Sequence, residues 1–180
     1  MSLNHFDDDG NSRMVDVSDK DVTNRRATAV GEITMQAETL SLILDQGIAK
    51  GDVFGVAQLA GIMAAKRTSD LIPLCHPLPL SGVDLEIRPV SDRSIRIEAT
   101  VQVQSRTGVE MEALTAVSVA SLTVYDMCKA VDREMTLGPI QVVYKSGGQS
   151  GELDREFDPG AVRSRMVDGG GPENRNEGEE

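Results

Sequence analysis

One stretch of this sequence limits the possible folds more than any other. No charged residue occurs between Ala113 and Tyr125, although Glu112 and Asp126 stand directly on either side. The run lies inside the longest predicted helix, Glu112–Val131. A helix without a charged face is buried nearly all round, and a small domain has few elements to cover it. We therefore expect a central helix that also packs against a second subunit.

Two alternating runs predict an antiparallel hairpin beside this helix. Val83, Leu85 and Ile87 alternate with charged residues, and residues 95–103 alternate in the same way. Residues 89–93, which include a proline, a serine and an aspartate, join the two runs. The pattern predicts two paired strands with one face buried and one face in water.

The other predicted elements are two helices and one strand: Glu38–Gln46, Val53–Lys66 and Ile140–Tyr144. In the first helix, Leu40, Ile43 and Leu44 share one face, and Gly47 ends the helix. The second is rich in alanine, so other backbone segments can approach it closely. Three prolines exclude a regular helix from residues 70–80. Helices with an antiparallel sheet indicate an α+β fold.

The composition predicts one aliphatic domain that gains from association. Aromatic residues make up 3% of the chain and Trp is absent, so the core is aliphatic. Burial is worth roughly 25 cal/mol per Å², and an oligomer buries more surface. We expect a catalytic domain over residues 14–157. Residues 1–13 and the acidic residues 158–180 are predicted to be flexible tails, because they are too polar to offset the entropy of ordering.

Charge and cysteine content exclude several classes of protein. The net charge is −11, which opposes general binding to nucleic acid. No run is long and apolar enough to span a bilayer, and the polar N-terminus is not a secretory signal. Two cysteines, Cys75 and Cys128, give no disulfide framework. We therefore expect a cytoplasmic protein with reduced thiols.

His76 is the first candidate for chemistry. It lies in a loop, Leu74–Leu78, whose flanking proline fixes the backbone and aims the ring. Histidine titrates near neutral pH and can move protons or donate to phosphate. A surface histidine without a function is an equally good interpretation. The other histidine, His5, falls in the predicted tail and receives no role. Cys75, His76 and Cys128 lack the spacing of a zinc site.

Charged residues stand at both ends of the uncharged run. Asp126 and Lys129 are three positions apart on one face and can exchange protons, although an ordinary surface pair has the same spacing. The uncharged run before them favours a function. Glu110 and Glu112 follow a flexible glycine at the helix start. They either satisfy the helix dipole or accept hydrogen bonds from the N–H groups of a guanine-like ring.

The basic residues are scattered along the chain and can bind phosphate only if they converge. They are Lys50, Lys66, Arg67, Lys145 beside a glycine pair, and Arg25 with Arg26 in a predicted polar loop near Asp16. Lys binds phosphate as a point charge and Arg as a bidentate fork. The spacing of a Walker-type phosphate loop is absent. Each base taken alone is better explained as a solvated surface residue.

Seven motifs, in their order and spacing, resemble the molybdenum cofactor biosynthesis protein C family. The resemblance covers nearly all of residues 14–153. The motifs are Met14–Ser18, Lys50–Phe54, Ala64–Thr68, Leu71–Leu78, Thr107–Ala116, Tyr125–Ala130 and Lys145–Gly148. The resemblance implies an enzyme that converts 3′,8-cyclo-7,8-dihydroguanosine 5′-triphosphate to cyclic pyranopterin monophosphate and releases diphosphate. It also implies a ferredoxin-like subunit in a homohexamer, a trimer of dimers with sites between subunits.

The resemblance also implies roles for particular residues. Asp126 matches a general acid/base, and Lys129 and Lys50 match catalytic lysines. The substrate-binding positions are Leu74, Cys75, His76, Glu110, Met111, Glu112, Lys66, Arg67, Lys145, Asp16 and Arg25. The choice of Arg25 over Arg26 is open, because residues 19–29 have no clear motif. No metal site and no redox cofactor are implied, and a Mg²⁺ ion can accompany the phosphates.

Two other functions remain as alternatives at this stage. A non-catalytic module that senses a nucleotide or pterin would use the same bases without proton transfer by Asp126 and Lys129. An assembly protein would use the uncharged helix only for oligomerisation. Diphosphate release from the cyclic nucleotide distinguishes the enzyme from both.

Overall fold

The computed structural model describes residues 5–7, 9–45, 51–148 and 151–160. The elements in this part of the chain are β1 (Thr23–Thr34), α1 (Ala37–Leu44), α2 (Val53–Ala65), α3 (Thr68–Leu71), β2 (Gly82–Pro89), β3 (Ser94–Ser105), α4 (Glu110–Cys128), β4 (Thr136–Ser146) and β5 (Leu153–Asp154). The strand order is β2-β3-β1-β4-β5, and every neighbouring pair is antiparallel. With α2 and α4 as the main helices, the first four strands follow the βαββαβ order of a ferredoxin-like fold. The α+β prediction is confirmed.

The β2–β3 hairpin forms as the alternation predicts. Ile95, Ile97 and Val101 are completely buried on the face that carries the helices. The opposite face holds charged side chains such as Glu86 and Arg96, which are exposed or half-buried. One face of the hairpin therefore supplies the core and the other meets solvent.

α4 is buried mostly by its own chain, between the sheet and α2. A Cβ atom at Gly31 of β1 would lie 2.8 Å from Val117 Cγ1, and one at Gly61 of α2 would lie 2.8 Å from the Ala116 carbonyl oxygen. Small residues at these positions let the helices and sheet approach closely, as expected for the alanine-rich helix. Leu122 is an exception on α4, because its side chain is exposed.

Four predictions about local structure were wrong. Residues 70 and 71 belong to the short helix α3, which ends before the first proline, Pro73, can interrupt it. Arg25 and Arg26 lie in the central strand β1 and not in a polar loop. β1 escaped prediction because residues 27–31 are buried on both faces and consist of small or β-branched residues, so they show no alternation. Leu44 is exposed at the end of α1, whereas Leu40 and Ile43 are buried. Gly47 and the tails after residue 160 lie outside the described residues, and the domain bounds 14–157 stay a prediction.

Candidate active site

The candidate site is a cleft at the N-terminal end of α4. A larger chamber of about 560 Å³ adjoins a smaller chamber of about 270 Å³. Lys20, Thr107, Gly108 and Glu110 line both chambers, so the two share one wall. The combined volume lies in the range of small-molecule sites.

The larger chamber is lined by more cations than acids. The cations are Lys20, Arg25 and Arg106, and the acids are Asp21 and Glu110. The hydroxyl oxygen of Thr23 is buried in the same wall, and no hydrogen-bond partner is found for it in the described chain. Buried hydroxyl groups normally have a partner. The chamber is thus suited to an anion that accepts hydrogen bonds.

Arg25 reaches this chamber while holding two strand ends together. Its guanidinium group donates to the carbonyl oxygens of Gly147 at 3.0 Å, Arg106 at 3.2 Å and Ser105 at 3.4 Å. Gly148 has a φ of +78°, and a Cβ atom there would overlap Arg25. Gly148 therefore leaves the space that the Arg25 guanidinium group occupies, whereas a side chain at Gly147 would first meet the Asn24 carbonyl oxygen. Arg26 instead lies over the ring of Tyr144, 5.8 Å from its centroid.

The smaller chamber contains a buried acid. Leu74, Cys75, His76 and Met111 line this chamber together with Glu112, which is only 3% exposed. Burial, with a smaller contribution from the charge of Glu110, raises the pKa of Glu112 to about 7. Burial also raises the pKa of the Cys75 thiol, and the charge of Glu112 adds to the effect. At neutral pH, Glu112 can therefore hold or release a proton.

Two further predicted residues lie at the border of the cleft. Lys145 Nζ donates to Glu110 Oε1 at 3.2 Å, which places this ammonium group beside the wall that the chambers share. Asp16 is exposed between Val15 and Val17, which both line the smaller chamber. Hydrogen bonds from the hydroxyl and backbone N–H of Ser18 lower the pKa of Asp16.

Asp126 and Lys129 lie at the opposite end of α4. Lys129 Nζ donates to Asp126 Oδ1 at 2.7 Å. The side chain of Lys129 is 54% exposed and that of Asp126 is 60% exposed. The hydrogen bond to Asp126, followed by its charge, raises the pKa of Lys129. Fourteen positions separate Glu112 from Asp126, which is about 21 Å at 1.5 Å per residue. One chain therefore does not bring this pair into its own cleft.

The structure thus divides the predicted site residues into three groups. Leu74, Cys75, His76, Arg25, Glu110, Met111 and Glu112 line the cleft, with Lys145 and Asp16 beside it. Lys66 and Arg67 are exposed after α2 and are absent from the described walls of both chambers, as are Asp126 and Lys129. Lys50 lies outside the described residues.

Sequence reasoning missed five residues of the cleft. Lys20, Asp21, Thr23 and Arg106 line the larger chamber, and His5 lines the smaller one. Lys20 follows the Met14–Ser18 motif and Arg106 directly precedes the Thr107 motif, so adjacency to a motif was the available signal. Thr23 and His5 gave no such signal, because their positions depend on the fold.

Neither a metal site nor a membrane span is found in the described part of the chain. No three His, Cys, Asp or Glu residues there are arranged to hold a metal ion. None of the helices described is long and apolar enough to cross a bilayer.

Comparison with known proteins identifies similar chains along most of the sequence. The profile of the MoaC family matches residues 14–148. A cyclic pyranopterin monophosphate synthase from Pelotomaculum thermopropionicum is 58% identical over 155 residues, covering 86% of this chain and 91% of the relative. The proteins of the same name from Desulfitobacterium hafniense and Brucella melitensis biotype 2 are 58% and 57% identical. They cover 87% and 89% of this chain, and 96% and 98% of their own lengths.

Proposed function

This chain belongs to the MoaC family, and we propose that it acts as a cyclic pyranopterin monophosphate synthase in molybdenum cofactor biosynthesis. The enzyme is a lyase that converts the 3′,8-cyclic derivative of GTP to cyclic pyranopterin monophosphate and diphosphate. The observation that carries the proposal is the two-part cleft, in which a cation-lined chamber adjoins one with a buried acid.

Each chamber suits one part of this substrate. The triphosphate enters the larger chamber, where Lys20 and Arg106 supply charge and the Thr23 hydroxyl supplies a hydrogen-bond donor. The purine-derived ring enters the smaller chamber, where Glu112 accepts hydrogen bonds from ring N–H groups. This arrangement accounts for a polyanionic substrate on an acidic protein, because the local charge of the chamber and not the net charge governs binding.

The reaction requires proton transfers and one internal phosphoryl transfer. Asp126 and Lys129, joined at 2.7 Å, supply a carboxylate base and an ammonium acid for ring opening and ring closure. Lys50 is assigned to the same group by its motif. The cations of the larger chamber stabilise charge on the departing diphosphate. None of these steps changes an oxidation state, so we propose no redox cofactor, and Mg²⁺ would enter with the phosphates.

We further propose that each site is completed by two chains of a cytoplasmic homohexamer, a trimer of dimers. The separation of about 21 Å along α4 supports this arrangement, because Asp126 and Glu112 of one chain lie too far apart to act on one ring. Exposed apolar side chains on α2 and α4 also support it: Val56, Leu59, Met63 and Leu122. An apolar face of this kind is typical of a subunit interface.

A diphosphate-release assay with two inactive variants tests the proposal. Lys129→Ala and Glu112→Gln are each expected to abolish turnover. If a site takes Lys129 from one chain and Glu112 from another, random mixed assemblies restore both halves in about a quarter of the sites. Refolding the variants together is therefore expected to recover about a quarter of wild-type turnover.

Three results would contradict parts of the proposal. Binding of the cyclic nucleotide by the wild type without diphosphate release would indicate a sensing module. No effect of the nucleotide on thermal unfolding would indicate an assembly protein. Two inactive variants that regain nothing on mixing, although mass spectrometry shows mixed assemblies, would place the whole site in one chain.

A further inference from the structure

A buried carboxylate anchors the exposed loop that follows α4. Between Lys129 and Glu134, every side chain is exposed except that of Asp132, which is 4% exposed. Its Oδ2 atom accepts from the backbone N–H of Gln36 at 2.8 Å and from the Thr39 hydroxyl at 3.2 Å. Its Oδ1 atom accepts from the backbone N–H of Glu134 at 3.0 Å. Asp132 thus caps the N-terminus of α1 from a different part of the chain.

The loop between Lys129 and Asp132 is a tight turn that continues α4. The backbone N–H of Lys129 donates to the Tyr125 carbonyl at 2.8 Å. The N–H groups of Val131 and Asp132 both donate to the Cys128 carbonyl, at 2.9 and 3.0 Å. A displacement of Asp132 therefore moves the backbone that carries Lys129.

The N-terminus of α1 is itself held from a third element. Arg93, in the turn between β2 and β3, donates from Nη2 to Gln36 Oε1 at 2.6 Å and accepts from the Met35 N–H at 2.8 Å. Gln36 is the residue whose N–H contacts Asp132. The loop after α4 is thus connected through α1 to the sheet.

We propose that Asp132 is a positioning residue that holds Lys129 and Asp126 in register with the rest of the site. This proposal rests on the proposed function, because the geometry of Lys129 and Asp126 affects turnover only if the pair takes part in the reaction. Asp132 contacts neither side chain directly and acts through the backbone turn. Burial of a carboxylate is unfavourable unless several hydrogen bonds compensate for it. Asp132 accepts three, and these fix its position.

The test compares Asp132→Ala and Asp132→Asn with wild type in the hexamer at fixed protein concentration. A misplacement of about 1 Å can cost on the order of 10²-fold in rate. We expect kcat of Asp132→Ala to fall about 10- to 100-fold with little change in KM, and Asp132→Asn to recover part of it by keeping one acceptor oxygen. Ile97→Val, in the core of β3, is the control for general loss of stability.

A second readout follows the Lys129 ammonium group directly. ¹³C NMR of reductively methylated lysines, with Lys129→Arg to assign the signal, measures its pKa without turnover. The hydrogen bond to Asp126, followed by the charge of Asp126 and then that of Tyr125, raises this pKa. If Asp132 positions the pair, Asp132→Ala lowers the pKa of Lys129 and moves the alkaline limb of the pH–rate profile to lower pH. Ile97→Val is expected to leave both unchanged.

An Asp132→Ala variant with the wild-type alkaline limb and the wild-type titration of Lys129 would overturn the proposal, whatever its melting temperature. A Lys129→Ala variant that keeps full turnover would instead refute the catalytic assignment. In that event the NMR titration still shows whether Asp132 orders the turn, so the two failures are distinguishable.

Discussion

Glu112→Gln is expected to stabilise the protein at alkaline pH while abolishing turnover. Glutamine is close in shape to protonated glutamic acid but carries no charge at any pH. In the folded chain the pKa of Glu112 is about 7, against an ordinary value of 4.5. The folded state therefore resists ionisation of this group, and the substitution removes that cost.

The size of the effect follows from the two pKa values. Below pH 4.5 the group is protonated in both states, so wild type and variant differ little. Between pH 4.5 and about 7 the unfolded chain releases a proton that the folded chain keeps, so the free energy of unfolding of the wild type falls as pH rises. The loss amounts to about 2 kcal/mol at pH 6 and about 3 kcal/mol at pH 8.

Urea unfolding at matched protein concentrations between pH 4.5 and pH 8.5 measures this difference. Glu38→Gln is the control, because Glu38 is exposed on α1 and its replacement relieves neither burial nor the repulsion between Glu110 and Glu112. It is expected to give no stabilisation at pH 8. If Glu112→Gln and wild type showed the same dependence on pH, the raised pKa and the role of burial in it would be wrong.

Two other consequences of the packing are testable. Gly61→Ala is expected to lower the free energy of unfolding by about 1–3 kcal/mol, because its Cβ atom would lie 2.8 Å from the Ala116 carbonyl oxygen. Gly82→Ala, with open space around the new atom, should have a much smaller effect in the same urea titration. Cys75 should react with iodoacetamide more slowly than free cysteine at pH 7.5, because its raised pKa leaves little thiolate. Mass spectrometry over time measures the rate, and equal rates would contradict the burial of this thiol.

The elements with a clear period were predictable from the sequence, and those with two buried faces were not. The β2–β3 hairpin alternates strictly because one face meets water. α4 was predictable from its length and its lack of charge. β1 has partners on both sides and helices on one face, so its residues are small or β-branched and their pattern is uniform. Only its neighbours in the sheet determine that it is a strand.

The candidate site was predictable as a set of residues but not as an arrangement. Motif spacing pointed to Glu112 and Asp126, and sequence reasoning required the basic residues to converge without showing where they do so. In one chain the two acids mark opposite ends of α4, because each residue of a helix advances the chain by a fixed rise. The uncharged run indicates an interface with a second chain, but the relative placement of two chains depends on contacts far apart in the sequence.

The arrangement of α4 has a mechanical consequence for any assembly that shares its sites between chains. This single helix would then carry, at its first turn, an acid that belongs to one reaction centre. At its last turn it would carry a proton-exchanging pair that belongs to the neighbouring centre. A small tilt caused by a ligand at one end would be transmitted to the other end without any change within the helix. Occupancy of adjacent centres would be coupled through a single rigid element.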